Sequence, residues 1–300
     1  MLAELRRLLD TLPPDAASQA IQTFLASGRD APTGLDIKVE AGGGLGDASS
    51  LRVFLLDYLG RIDKMAAGKL AEDVLSKYTT PDEWAVSLRN YAWAHSDGDA
   101  FLQAKTRQLL ENPAWRHNPT AGFLEAFDTI VYSRDTGLTP ALAGMVVEPE
   151  NKALAHAAYL TLDRLTITEP AAVLDQLHKQ PGLMKGHELT RANFFARADI
   201  ADPKQKSLVE DYLLDTGRGM QELNAFAGIY PNENYMLSNN LLTETQTPTG
   251  AEIAARDRAA LEMVQTWLED PRFEKVRPQL QTMQKRLQVF VNQANAPSPQ

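Results

Sequence analysis

The apolar positions of this chain return at three- and four-residue steps over most of its length, the period of an α-helix with one buried face. Leu2, Leu5, Leu9 and Leu12 form the first such stripe. Pro13-Pro14 ends it, because a proline ring clashes with the preceding turn and brings no N–H. Ala17, Ile21, Phe24 and Leu25 predict a second helix over residues 16–26. From Gly28 to Asp47 the helical period is lost: Ile37-Lys38-Val39 predicts a short strand, Gly42 to Gly46 a flexible loop, and Asp47 or Ser49 the cap of the next helix. Later helix starts are better marked. Thr80-Pro81-Asp82-Glu83 and Asp202-Pro203-Lys204-Gln205 join a capping side chain to a proline at the first helical position, and Thr249-Gly250-Ala251-Glu252 reads as a capping box. Asp99 is expected to cap a helix reaching about Glu111, and Thr168-Glu169-Pro170 to start one that ends near Pro181. From Ala251 the pattern stays helical nearly to the end, broken at Asp270-Pro271 and bent at Pro278, and residues 295–300 are expected to be a disordered tail.

The helices also repeat. Leu51 to Leu59 aligns with Trp84 to Ala92 at an offset of 33: Val53 falls on Val86, Leu55 on Leu88, Asp57 on Asn90 and Tyr58 on Tyr91. Phe127, Thr161 and Phe195 continue the tyrosine column at steps of 36, 34 and 34. Five helical hairpins therefore run from about residue 48 to 216, preceded by an N-terminal helical cap and Gly-rich loop (1–47) and followed by an irregular loop and C-terminal helices (217–294). A hairpin of this size cannot bury its apolar face alone, so stacking on its neighbours must supply the contacts. Tyr58, Tyr91 and Phe127 are expected between adjacent hairpins.

Ser49 to Ile62, with Arg52, an apolar face and the ending Leu59-Gly60-Arg61-Ile62, resembles the second helix of a HEAT-type repeat. Glu150 to Leu165 is similar, though Asp163 stands where the glycine would be, and the Asp-Pro start of that helix is missing from both. The resemblance covers about half the chain and implies an all-α fold, a right-handed α-solenoid of helical hairpins; a tetratricopeptide array and an α/α toroid are the alternatives. A solenoid's concave face is suited to binding a protein or peptide.

Composition agrees with the helical reading. Leu and Ala total 80 residues against 21 Val and Ile, which disfavours a large sheet. No apolar run reaches the ~20 residues of a membrane span. Met1 to Leu9 is amphipathic and lacks the apolar core of a signal peptide, so the chain as written reads as soluble and cytoplasmic. An exported or periplasmic protein is the alternative if a leader or anchor has been trimmed away. The formal charge of -9 opposes a general nucleic-acid surface and favours a partner with a basic patch.

Chemistry-bearing motifs are sparse. The chain has no cysteine, and its five histidines never stand three or four apart. His187-Glu188-Leu189-Thr190-Arg191 opens like a zincin helix, but Arg191 occupies the second histidine's place. His95 to Asp99 reads as a turn, since a calcium loop begun at Asp97 would need a glutamate where Gln108 stands. No catalytic, cofactor or metal residue is assigned. Residues 226–240 depart from the helical composition, with Phe226, Tyr230, Tyr235 and four asparagines around Pro231. Amides and phenols read peptides or sugars, so Tyr230, Asn232, Asn234, Tyr235 and Asn239 are the candidate partner-binding residues. The leading expectation is a non-catalytic protein- or peptide-binding scaffold. An α/α enzyme or binding module acting on a polysaccharide is the alternative.

Overall fold

The computed structural model describes residues 2–95, 99–148 and 150–294, and the expected disordered tail lies outside them. The described residues are predominantly α-helical. No helix among them is long and apolar enough to cross a membrane. The chain divides into two compact units: Met1–Asp135 with Pro149–Thr161 and Leu237–Glu244, and Thr136–Glu148 with Leu162–Met236 and Thr245–Gln300.

The first unit opens with α1 (Leu2–Leu9) and α2 (Pro14–Ala26), followed by an antiparallel pair, β1 (Lys38–Val39) and β2 (Leu45–Asp47). The expected strand is present, but the glycine loop is shorter than its composition suggests. Leu45 and Gly46 join the ladder because Arg6 and Arg61 both donate to the Leu45 carbonyl and the Leu45 N–H reaches Asp57. Then come α3 (Leu51–Ile62), α4 (Lys64–Leu75), α5 (Pro81–Ala94), α6 (Asp99–Glu111) and three short helices, α7 (Pro113–His117), α8 (Ala121–Glu125) and α9 (Asp128–Tyr132). Ser50, one residue beyond the expected cap, caps α3 by accepting from the Val53 N–H, while the Ser49 hydroxyl donates to Asp82. Thr80 caps α5 as its motif predicts.

Helix α3 packs on α4 and α5, α5 on α8, and α6 on α9. Two glycines set how closely these helices approach. A Cβ on Gly60 would lie 2.2 Å from the Asn90 side-chain oxygen, and one on Gly68 would lie 2.3 Å from the Ala94 Cβ. The Asn90 amide also donates to the Leu56 carbonyl at 2.9 Å, so α3 and α5 are joined through side chain as well as backbone. Arg89, wholly buried, donates to Asp57 and to the Gly43 carbonyl, each at 2.6 Å, and Arg61 lies 2.8 Å from the other Asp57 oxygen. Arg52 meets Glu83 at 2.8 Å. Tyr58 and Phe127 are buried as expected, whereas Tyr91 is half-buried, its ring stacked between His95 and Phe101.

In the second unit lies α10 (Thr139–Val146). Helix α11 (Lys152–Thr168) contributes its residues to Thr161 to the first unit and those from Leu162 to the second. Helices α12 (Pro170–Lys179), α13 (Glu188–Phe195), α14 (Pro203–Leu214), α15 (Met220–Ile229) and α16 (Gly250–Glu269), a 3₁₀ helix (Pro271–Val276) and α17 (Arg277–Ala294) complete it. Packing follows chain order in alternate steps: α10 on α12, α12 on α14, α14 on the 3₁₀ helix, and α13 on α15, α15 on α17. Asp202 caps α14, and Thr249 with Glu252 closes a capping box on α16. Phe195, Tyr212, Phe226 and Tyr230 form a continuous aromatic core with centroid separations of 4.2, 5.2 and 5.0 Å. Here Arg191, the residue in the place of a zincin histidine, pairs with buried Glu222 at 2.7 Å. Tyr212 and Arg218 share that carboxylate.

Candidate functional site

A cavity of about 690 Å³ opens in the second unit. The C-terminal turn of α11 supplies Ile167 and Thr168, the turn between α13 and α14 supplies Arg197, Asp199 and Ala201, and α14 supplies Gln205. Tyr235 comes from the loop after α15, and Pro248 with Glu252, Ala255, Arg256 and Ala259 comes from α16 and its approach. The lining thus mixes apolar side chains with polar groups drawn from several elements.

Both arginines are anchored. Arg197 forms a bidentate pair with buried Asp163, at 3.0 and 2.9 Å, and donates to the carbonyls of Asn232 and Asn234. Its guanidinium lies 5.1 Å from the centre of the Tyr235 ring, a cation–π contact that orients the phenol. Arg256 lies 2.9 Å from Glu233 and donates to the Tyr235 hydroxyl at 3.2 Å and to the Arg197 carbonyl at 3.3 Å. The Tyr235 hydroxyl in turn donates to Glu233 at 3.2 Å. Burial raises the Glu233 and Tyr235 pKa values, with Arg256 opposing in each case. Burial works against the charge on Arg256, but Glu233, Tyr235 and Asp199 outweigh it and lift its pKa above the ordinary value. Arg256 is therefore a fixed cation, and the phenol is a neutral group held between a carboxyl group and a guanidinium. Asp163 is also raised by burial, against the pull of Arg197.

Among the candidates read from the sequence, only Tyr235 lines the cavity. Tyr230 is buried in the aromatic core, its pKa driven up by desolvation. Asn232 is buried and structural: its N–H donates to the Ala196 carbonyl and its side-chain oxygen accepts from the Asn234 N–H. Asn234 is exposed and contributes its carbonyl to Arg197. Asn239 belongs to the first unit, where its amide donates to the Val39 carbonyl. The polar loop therefore ties down Arg197 and presents one phenol. Sequence reading missed Arg197, Asp199, Gln205 and Arg256. The legible signal was spacing: Asp163 and Arg197 stand 34 apart and Asp57 and Arg89 stand 32 apart, both close to the repeat step.

The other motifs stay structural. His95 stacks on Tyr91 with its Nε2 3.4 Å from Glu72, and Ser96 to Gly98 of the expected turn lie outside the described residues. Among the described residues no group of three or more His, Asp or Glu could hold a metal ion. No protein-family model, curated protein or solved structure matches the chain.

Proposed function

We propose that the chain is a HEAT-like helical-repeat scaffold that binds a protein or peptide, with the cavity of the second unit as its recognition site. The repeat reading is supported by the succession of alternate helices within each unit and by the buried pairs that bridge them. Arg52–Glu83 and Arg191–Glu222 are each 31 residues apart, joining helices two places along the chain. The observation that carries the binding role is that the end of α11, the α13–α14 turn, the loop after α15 and the start of α16 converge on one cavity. Its two arginines are locked to protein partners, leaving a shaped, mixed surface. Binding pockets of this kind are mostly apolar with a few placed polar groups, in a range of about 300–1,000 Å³.

Two carboxylates, Asp199 and Glu252, also line the cavity, which raises the polysaccharide-hydrolysing alternative. Such chemistry needs one carboxyl group kept protonated near neutral pH. Glu252 is held the other way: the Thr249 N–H, then its hydroxyl, lower the Glu252 pKa. That argues against Glu252 as the acid, and binding is the reading proposed. Fluorescence-polarisation titration of the full chain against labelled nonapeptide pools and labelled oligosaccharides tests it. Saturable peptide binding is expected; oligosaccharide binding or cleavage with no peptide binding would overturn the proposal.

A further inference from the structure

Charge bookkeeping around the cavity leaves an imbalance. Arg197 is matched by Asp163 and Arg256 by Glu233. Asp199 makes no direct ion pair among the described residues, its charge reaching Arg256 only at longer range. Among the described residues one of its carboxylate oxygens accepts the Ala201 N–H at 2.9 Å, and the other makes no hydrogen bond. Glu252, exposed to solvent, adds a second carboxylate without an ion pair among the described residues, held by the Thr249 N–H and hydroxyl. Gln205 sits beside Asp199 and is only 8% exposed. Its oxygen accepts from the Asp199 N–H at 2.8 Å, while its amide nitrogen, which carries two donors, meets no acceptor among the described residues. That nitrogen is not among the buried polar atoms left without a partner, so it opens to solvent in the cavity and can donate to an incoming acceptor.

The lining therefore asks for two things from one occupant: a cation opposite Asp199 and a carbonyl opposite the Gln205 amide. A basic amino-acid residue within a peptide supplies both. Its methylene stem also suits the apolar side chains of Ile167, Pro248, Ala255 and Ala259, since long basic side chains bury their stems on apolar surface while the head stays polar.

We infer that the cavity of the second unit seats a lysine or arginine side chain of the bound peptide, its charged head on Asp199 and a neighbouring peptide carbonyl on Gln205. This rests on the peptide-binding reading above and narrows it to basic ligands. The full chain is titrated with fluorescein-labelled nonapeptide pools that differ only in a fixed central residue: Lys, Arg, N-acetyl-lysine or Glu. The Lys and Arg pools should bind roughly tenfold or more tighter than the other two, a difference on the scale of one charge-assisted contact. Asp199→Asn keeps the acceptor for the Ala201 N–H and should erase that preference. Glu252→Gln, at the mouth, should reduce it less, and it serves as the second variant if Asp199→Asn fails to fold. Equal binding of all four pools, or a Lys preference that survives Asp199→Asn, overturns the inference while leaving the peptide scaffold standing. Failure of every pool to bind overturns both.

Discussion

A buried arginine recurs in each unit with the same set of ties. Arg89 and Arg197 each pair with an aspartate from an earlier helix, each donate to loop carbonyls, and each lie over an aromatic ring, Trp93 at 4.3 Å and Tyr235 at 5.1 Å. A guanidinium has five donors in a fixed plane, which lets one side chain hold a carboxylate and a loop together. These roles could not be read residue by residue from the sequence, because an arginine on a helical stripe looks the same whether it faces solvent or a partner carboxylate thirty residues away. Capping residues are legible, since their chemistry is local, and Asp63 shows how such a residue responds to pH. It accepts from the Ala66 N–H at 3.0 Å as the cap of α4 and from the Ser18 hydroxyl at 2.7 Å. Those bonds, the Ala66 amide first, hold its pKa below the ordinary 3.8. The unfolded chain thus takes up the proton more readily, so the stabilisation is complete above the ordinary value and is lost as pH falls through the depressed one. Asp63→Ala should cost about 1 kcal/mol at pH 7. Urea unfolding from pH 7 to pH 2.5 should show the gap between the two proteins closing only in that acid window; a gap independent of pH would remove the charge from the explanation.

At the scale of elements, the ending Leu59-Gly60-Arg61-Ile62 gains a physical reason. At Gly60 of α3 the missing side chain makes room for Asn90 of α5, whose oxygen accepts from Arg89 while its amide reaches the Leu56 carbonyl. A methyl group there must displace a buried, hydrogen-bonded amide rather than a flexible tip. Gly60→Ala should therefore destabilise by about 1–3 kcal/mol, even though alanine is the better helix former. Guanidinium denaturation decides it, and a variant as stable as the parent would mean the helices can move apart freely. Helix positions and most caps were legible because the 3.6-residue period and the Thr-Pro and Asp-Pro starts depend on neighbours in sequence. Two features were not. The split of the expected helix around Phe127 into α8 and α9 has no proline or glycine to announce it. The stretch Leu237–Glu244 joins the first unit because buried Asp128 accepts from the Leu242 and Thr243 N–H groups, a contact 114 residues long that no local pattern encodes.

For the molecule as a whole, composition was the more reliable guide to fold class. An 80 to 21 excess of Leu and Ala over Val and Ile left room for one two-stranded sheet among the described residues, which is what forms. The charge of -9 acts at a longer range than any single contact. A basic peptide approaching an acidic chain is drawn in over distances of about a Debye length, ~10 Å at 0.1 M salt and ~3 Å at 1 M. Once seated, the contact between its cation and Asp199 is partly shielded from the bulk, so added salt weakens it less. The two effects separate in kinetics: salt should act mainly on the association rate, and removal of Asp199 mainly on dissociation. Stopped-flow mixing of the full chain with a labelled Lys-containing nonapeptide at 20 and 500 mM NaCl should show association slowing by roughly tenfold, with dissociation changing by less than about threefold. Asp199→Asn should speed dissociation and leave most of the salt dependence of association intact, since it removes one negative charge of many. If instead association is indifferent to salt, the acidity of the chain plays no part in finding its partner, and recognition begins only at contact.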